Sequence, residues 1–544
     1  MQGTQQRKSI RLWVAVCASS LLYAAAHPPW ALWPSALVAI APVSAVLLDP
    51  RARIGWRRAG LAGFLFGSLS TWLLVASWSR TVAQQFLGGS PLAALAFTAA
   101  LLLIASGIAL YYAVLFALLS RLAGFGALVA VVGSAALWAA AELARTSIGY
   151  GNPWGSFAAA LVAADAALSG FRAETPIAAL LGVGGAPAVA FLAGASGAAL
   201  GLAWAERSSA VARGRAIASG AAVVAALLIA SHAGEEFAPG RGGAAAATQP
   251  LRVALVQPGV GKSHRADGDR EAAGAAQSFD RLVELTRSVD TRGADLIVWP
   301  DDALPFLLGA NEGEQTKLRT LAHERGAALL VGGSHSAPDR DASASVFRCA
   351  FLFPADGGEP LVYDKRILLP FIERVPGWAA PYSASPRQGA FAAGTGPGIL
   401  QVKGWHIAPL LGLEAVYPDE AAARVADGAD LLVDLSDDSW FDEGAGAEQH
   451  FTLSMLRAAE TRRPLVRVAT TGVSALVAEN GLVSWRLPAR TTAVALLDVV
   501  PPRHDSLFVR GGRSGFALLV IVIAGAAAAL PGWSRCDAEE SPDE

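Results

Sequence analysis

The sequence predicts a polytopic helical membrane protein that carries one α/β domain immediately before its last span. Three observations predict it. Of 544 residues, 53% are hydrophobic and only 16% charged, a balance too apolar for an ordinary soluble enzyme and a length too great for one domain. Apolar runs long enough to cross a bilayer recur through residues 1–235. From about residue 251 to 505 the pattern changes to short buried-strand signals alternating with amphipathic helices.

A hydrocarbon core of about 30 Å takes about 20 apolar residues in helix. Eight such runs are found, near 11–27, 30–48, 59–78, 91–119, 125–143, 175–204, 215–232 and 514–531. The expected organisation is therefore a membrane domain of seven transmembrane helices over 1–235, a linker over 236–250, the α/β domain over 251–505, an eighth transmembrane helix over 513–532 and a cytoplasmic tail over 533–544. The first run follows a basic "RKSIR" as a secretory signal would, but "YAAAHPPWALWP" leads straight into more apolar sequence, so a retained anchor is expected. Basic residues mark the cytoplasmic loops: Arg7, Lys8 and Arg11 before span one, Arg51, Arg53, Arg57 and Arg58 after span two, Arg121 after span four, and Arg207, Arg213 and Arg215 between spans six and seven. Seven crossings from a cytoplasmic start put the large domain outside, as in the periplasm above a bacterial inner membrane.

Several function classes are disfavoured. A formal charge of −2 with no Lys/Arg block excludes the electrostatic footprint of a nucleic-acid binder. Cys17, Cys349 and Cys536 lie far apart, so no disulfide framework is implied. The eight histidines are scattered, and a metal site would have to be assembled from distant segments; neither metal nor cofactor is expected. The "GVGGAP" at 182–187 lies inside an apolar span and reads as helix-packing glycine rather than a nucleotide loop. Few charges fall within the spans apart from Glu142 and Arg145, which argues against a transporter.

Within the domain, "LRVALVQPG", "ADLIVWPDD" and "AALLVGGSH" read as buried strands, with helices in "AAQSFDRLVELTRSVDTR" and "EQTKLRTLAHERG" between them. Strand-like "VFRCAFLFP", "PLVYDKRILLP", "HIAPLLGLEAVYP" and "ADLLVDLSDDSWF" follow, then a helix in "AEQHFTLSMLRAAETRR" and the strand pair "PLVRVATTGVSALVAENG". This order predicts a layered α/β sandwich with chemistry at strand ends. Taken alone, Asp301 and Asp302 would be loop or cap residues, Lys365 a turn lysine, and Glu414 half of an ion pair with Lys365 or Arg374. Trp299, Trp378 and Trp440 suit either the core or a membrane interface.

Four ordered segments carry a resemblance: "WPDDALP" at 299–305, "YDKRILLPFIERVPGW" at 363–378, "DLSDDSWF" at 434–441 and "EQHFTLSMLRAAETRRPLVRVATTGVSA" at 448–475. With them go "AHPPWALWP" after span one, "GFLFGSLSTWLL" in span three and "ELARTSIGYGNPWG" after span five. The chain resembles the apolipoprotein N-acyltransferases, membrane-embedded members of the carbon–nitrogen hydrolase or nitrilase superfamily. The resemblance implies eight spans with a nitrilase-like α-β-β-α sandwich before the last. It also implies transfer of an acyl chain from a phospholipid donor to the N-terminal amine of a diacylglyceryl-cysteine lipoprotein, by a protein acting as a monomer. A cysteine thiolate would form a thioester, a glutamate would serve as base, and a lysine with a backbone N–H would stabilise the oxyanion.

Carried over residue by residue, the lysine is Lys365 in "YDKR" and the base position is Asp301, where the family has glutamate. The shorter side chain is expected to leave the base short of its nucleophile. The nucleophile's strand-end motif falls on "LLGLEAVYP", which places Gly412 where the sulfur belongs. Glu414 matches the acid of that motif, and Glu373 matches a further supporting acid. Cys349 lies upstream at a position where the family has no nucleophile and reads as a small buried hydrophobe. Ser436 and Asp437 fall near the site but lack an evident activating base. The expectation is a protein impaired or inactive by the thioester route, or else a non-catalytic relative that binds lipoprotein or phospholipid. A glycine at a strand-end elbow leaves the fold intact, because such a turn takes a backbone conformation that glycine adopts without strain.

Overall fold

A computed structural model describes residues 2–87, 91–148, 151–168, 175–236, 249–259, 268–288, 291–304, 306–308, 312–338, 344–370, 372–374, 391–396, 398–441 and 444–530. The expected cytoplasmic tail, most of the expected linker, and Trp378 lie outside them. The chain divides into two compact units, one of residues 1–77, 96–237 and 510–544, the other of residues 78–95 and 238–509.

The helices in chain order begin with α1 (Gln2–Ala25), α2 (Pro34–Val38), α3 (Ala41–Leu47), α4 (Trp56–Leu87), α5 (Pro91–Leu119), α6 (Ala127–Ser147), α7 (Phe157–Leu168), α8 (Pro176–Ala205) and α9 (Ala210–Glu236). Among the described residues, five stretches are long and apolar enough to cross a membrane: Trp56–Ser79, Leu102–Leu122, Ala127–Ser147, Pro176–Ala205 and Ala210–Gly234. Shorter apolar helical stretches cover Ile10–Ala25, Pro34–Leu47 and Arg513–Ala529. The eight apolar runs of the sequence thus fall on five span-length helical stretches and three shorter apolar stretches. The run at 30–48 is not one helix. It breaks between α2 and α3, and each piece starts with a proline in its first turn, where the missing N–H is not needed. Helix α7 is not foreseen by the apolar count, being too short for a span.

Inside α8, Gly185 takes φ +67° and ψ −161°, a conformation glycine adopts freely, and Pro187 follows it, so the helix is kinked within "GVGGAP". The packing reading holds one residue earlier, where a methyl group on Gly184 would stand 2.9 Å from the Phe516 ring. The membrane-side motifs meet one another. His27 of "AHPPW" is buried, with one ring nitrogen 3.1 Å from the Ser156 carbonyl after "NPWG", and Tyr23 packs edge-on to Phe66 and Phe157 at 5.7 and 5.0 Å. Glu142 and Arg145, both buried, pair with each other at 2.6 Å, which satisfies two charges that apolar surroundings would otherwise penalise heavily.

The second unit is built on β1 (Leu251–Gln257), α10 (Gly268–Arg287), β2 (Leu296–Val298), β3 (Leu307–Leu308), α11 (Glu312–Arg325), β4 (Ala328–Pro338), β5 (Ala344–Phe353) and β6 (Leu361–Asp364). It continues with β7 (Phe391–Ala392), β8 (Leu400–Val402), β9 (Trp405–Leu411), α12 (Pro418–Ala426), β10 (Leu431–Ser436), α13 (Gly446–Thr461), β11 (Leu465–Ala469), β12 (Ser474–Val477), β13 (Val483–Leu487) and β14 (Ala493–Val499), before helix α14 (Arg513–Ala529). Among the described residues these strands form two sheets. One runs β14-β1-β2-β4-β5-β6, with β3 beside β4 and β7 beside β5; the other runs β13-β12-β11-β10-β9-β8. Their centres are parallel, β1 with β2 and β4, and β9 with β10 and β11.

The apolar strands read as continuous hydrophobic runs because both faces are covered. Alternate residues of β1 divide between two cores. Val253 and Leu255 face the second sheet, against Ile407, Val433 and Val466, while Ala254 and Val256 face Leu282 of α10 and Leu318 of α11. Helices α12 and α13, which pack on each other, cover the second sheet. The layering is α-β-β-α, as expected. Each fully buried Leu, Ile or Val contributes about 1.5–3 kcal/mol, and the parallel centres direct the carboxyl ends of β1, β2, β9 and β11 to one side.

Candidate functional site

Strand ends converge there because β2 stops at Val298 and the chain turns through "WPDD", while β9 stops at Leu411 and turns through a short 3-10 segment over Gly412–Val416. Gly412 has φ +52°, a left-handed conformation that disfavours any side chain. A methyl group added to it would stand 3.7 Å from Asp301 Oδ2 and 3.9 Å from Lys365 Nζ, ordinary van der Waals distances. The structure therefore brings together Asp301, Lys365 and Gly412 from three separate segments. The Asp301 carboxylate stands 3.7 Å from where the first side-chain atom of position 412 would be.

Lys365, buried directly after β6, has Nζ 2.9 Å from both carboxylate oxygens of Glu373. The Glu373 carboxylate also accepts the Leu369 N–H at 2.7 Å. Burial alone would push Glu373 up, but the Lys365 ammonium and Arg348 guanidinium hold it below the usual glutamate range. Asp301 is pushed above the usual range, because burial outweighs the attraction of Arg348 and Lys365. Its Oδ1 accepts from Arg348 at 3.0 Å and from the Asp302 N–H at 2.7 Å, which leaves Oδ2 directed at Gly412.

Glu414 plays a different part from the ion pair considered for it. Fully buried, it accepts from the Tyr363 hydroxyl at 2.8 Å and from the N–H groups of Arg366, Ile367 and Leu411 at 2.7, 3.1 and 2.9 Å. One carboxylate thus ties the end of β6 to the elbow after β9. Burial raises its carboxyl above the ordinary range, against the pull of Lys365 and the backbone donors. Tyr363 in turn accepts from Arg424 at 2.6 Å.

Arg348 was missed in the sequence. From β5 it donates to Asp302 at 2.7 Å and to Asp301 at 3.0 Å, and its Nε lies 3.7 Å from Glu373. The signal was available: a lone arginine inside the apolar run "VFRCAFLF" must find buried carboxylates. Its neighbour Cys349 points to the other face of the sheet, into the core with Phe279 and Leu321, and burial pushes its thiol well above the ordinary range. Its side chain faces away from Asp301, Lys365 and Gly412. Ser436 is buried and donates to Asp434 at 2.7 Å, within a network where Asp434 and Asp438 both pair with Arg467; Asp437 accepts the Ser439 N–H at 3.2 Å. Trp299 is core, its indole N–H donating to Thr286 at 2.8 Å, whereas Trp440 is only partly buried.

Chemically, the arrangement sets a carboxylate and an ammonium beside one strand-end position, as acyl transfer requires of a base and an oxyanion stabiliser. Position 412 supplies no side chain to be acylated.

Comparison with known proteins matches both regions of the chain. Residues 252–505 match the carbon-nitrogen hydrolase family and residues 19–199 match the apolipoprotein N-acyltransferase N-terminal domain. An apolipoprotein N-acyltransferase of Pseudomonas syringae pv. tomato is 28% identical over 91% of this chain and 92% of its own length. One of Azotobacter vinelandii is 29% identical over 93% of each chain. Among solved structures, an amidase from Nesterenkonia sp. is similar at 19% identity with a TM-score of 0.36, over 51% of this chain and 98% of that one. With both of its regions matched and relatives aligned along nearly its whole length, the chain belongs to the apolipoprotein N-acyltransferase family, with Gly412 at the position where the resemblance places the cysteine.

Proposed function

We propose that the chain is an apolipoprotein N-acyltransferase-like protein of bacterial lipoprotein maturation whose thioester route is closed. Its family substrates are a phospholipid acyl donor and a diacylglyceryl-lipoprotein, and it acts as a monomer in the inner membrane with eight spans and the nitrilase-like domain in the periplasm. In this reading Lys365 is the oxyanion residue, Asp301 the base, and Glu373 and Glu414 support them. The observation that carries it is the place of Gly412: Asp301 and Lys365 flank its side-chain position at 3.7 and 3.9 Å, yet glycine offers no atom to take the acyl group.

A second reading, a non-catalytic protein that binds lipoprotein or phospholipid as a partner or regulator, is favoured by the completeness of the remaining frame. Lys365, Glu373, Glu414 and Arg348 all keep their hydrogen bonds without a sulfur present. Complementation separates these from a working enzyme: cells depleted of their own N-acyltransferase are not rescued by the unmodified chain, and full rescue would discard the closed-route reading. If rescue fails, lipoprotein co-purification with the chain supports the binding reading. Topology is checked by cysteine labelling of intact cells at positions 57, 213 and 309. The first two are expected inside and the third outside, and external labelling of position 213 would refute the orientation.

A further inference from the structure

On the outer face of the first sheet, away from Lys365 and Gly412, three side chains from neighbouring strands meet. Cys349 of β5 pairs in register with Asp364 of β6 and with Gly333 of β4, and His335 lies two residues beyond Gly333. Side chains two apart on a strand share a face, as do directly paired ones. The backbone therefore places a sulfur, an imidazole nitrogen and a carboxylate together. Their ligand atoms all lie within 4.8 Å of one another, and His335 Nε2 is 2.8 Å from Asp364 Oδ1.

We propose that His335, Cys349 and Asp364 bind a zinc-class divalent cation. The donor set is the borderline-soft mixture that suits Zn²⁺, and three protein ligands leave a fourth position for water. Tetrahedral bonds of about 2.0–2.3 Å need ligand atoms roughly 3.3–3.6 Å apart, and the three ligand atoms already lie within 4.8 Å of one another. The His335 ring is already oriented by stacking on Phe347, with centroids 5.4 Å apart at 16°. Access is asymmetric in the useful sense: Cys349 is buried, but the His335 and Asp364 side chains are 20% and 29% exposed, so an ion and its water can enter from solvent. The site stands independently of the acyl-transfer reading. It lies on the opposite face of the same strands, where Cys349 neighbours Arg348 and Asp364 precedes Lys365.

The test uses the full chain in detergent with Cys17→Ser and Cys536→Ser, which makes Cys349 the sole thiol of the three in the sequence. Titration with Co²⁺ is expected to give a thiolate-to-cobalt charge-transfer band that saturates at one equivalent and is displaced by Zn²⁺. His335→Ala and Asp364→Asn are each expected to weaken binding by more than ~10-fold, since removing even an outer-shell partner costs that much. Absence of the band at one equivalent, in protein whose melting matches the unsubstituted chain, would overturn the proposal. So would a band that survives both substitutions unchanged. The band is read before any ligand is substituted, so misfolding of a variant does not leave the site undecided.

Discussion

Restoring the sulfur is the sharpest perturbation of the site. In Gly412→Cys the new Cβ meets Asp301 Oδ2 at 3.7 Å and Lys365 Nζ at 3.9 Å, ordinary contact distances that need no neighbour to move for the Cβ itself. The strain is in the backbone: holding a non-glycine residue at φ +52° costs roughly 1–2 kcal/mol. For a domain of this size that lowers the melting temperature by roughly 2–8 °C, which the fold should survive. The thiol extends from a Cβ that stands beside the Asp301 carboxylate. Asp301 takes its proton, the thiolate attacks the phospholipid ester carbonyl, Lys365 faces the developing oxyanion, and the lysophospholipid alcohol leaves with the proton. Intact-mass analysis after incubation with phospholipid vesicles should show one added acyl chain on Gly412→Cys and none on the unsubstituted chain. Asp301→Asn in that background should slow acylation by about 10²–10⁴-fold, and Lys365→Met by about 10²–10³-fold. Adding Asp301→Glu should change little, because the Asp301 carboxylate already stands 3.7 Å from the Cβ position of residue 412. A folded Gly412→Cys chain that never acylates would refute the assignment of this elbow as the acyl-transfer position, and an adduct on the unsubstituted chain that vanishes with Cys349→Ser would refute the closed route.

Other outcomes follow from neighbouring groups. Arg348→Met should destabilise the domain by about 3–5 kcal/mol in denaturant titration, since it leaves Asp301 and Asp302 without their shared cation; Arg348→Lys should recover only part, lacking the fork that reaches both carboxylates. Glu373 has a depressed pKa in the fold, so its stabilisation is present above the unfolded glutamate value of about 4.3 and is lost as pH falls through its folded value. The melting difference between the unsubstituted chain and Glu373→Gln should therefore shrink from about pH 5 downward and vanish in stronger acid; a difference that grows with acidity would contradict the Lys365 pairing. Gly184→Leu should lower thermal stability by about 1–3 kcal/mol through overpacking against Phe516, where even a methyl would approach to 2.9 Å.

Much of this was legible in the sequence because the signals were strong and local. The buried strands β1, β2 and β4 announced themselves as apolar runs, and Lys365 stood inside a motif of specific order. Glu414 was found, but not its role: a carboxylate that accepts three backbone N–H groups from segments about 45 residues apart in chain cannot be read from its own neighbours. Arg348 and Arg467 were passed over for a related reason. Each interrupts an apolar strand, and its partners, Asp301 and Asp302 for one, Asp434 and Asp438 for the other, come from other segments. In the membrane part, hydropathy counts apolar residues but is blind to breaks, so it joined α2 to α3 across Ala39 and Ile40 and overlooked the short α7.

The way Glu414 fastens the elbow bears on how freely position 412 can be changed. The carboxylate grips Leu411 on one side and Arg366 and Ile367 on the other, and none of these bonds involves the side chain at 412. The turn is thus a mould whose shape does not depend on what is cast in it. A change of side chain at 412 leaves these Glu414 bonds in place, so the turn and the chemistry offered at 412 can be varied separately. The converse also holds: a change at Glu414, though it touches no reacting atom, would deform the mould for every occupant alike.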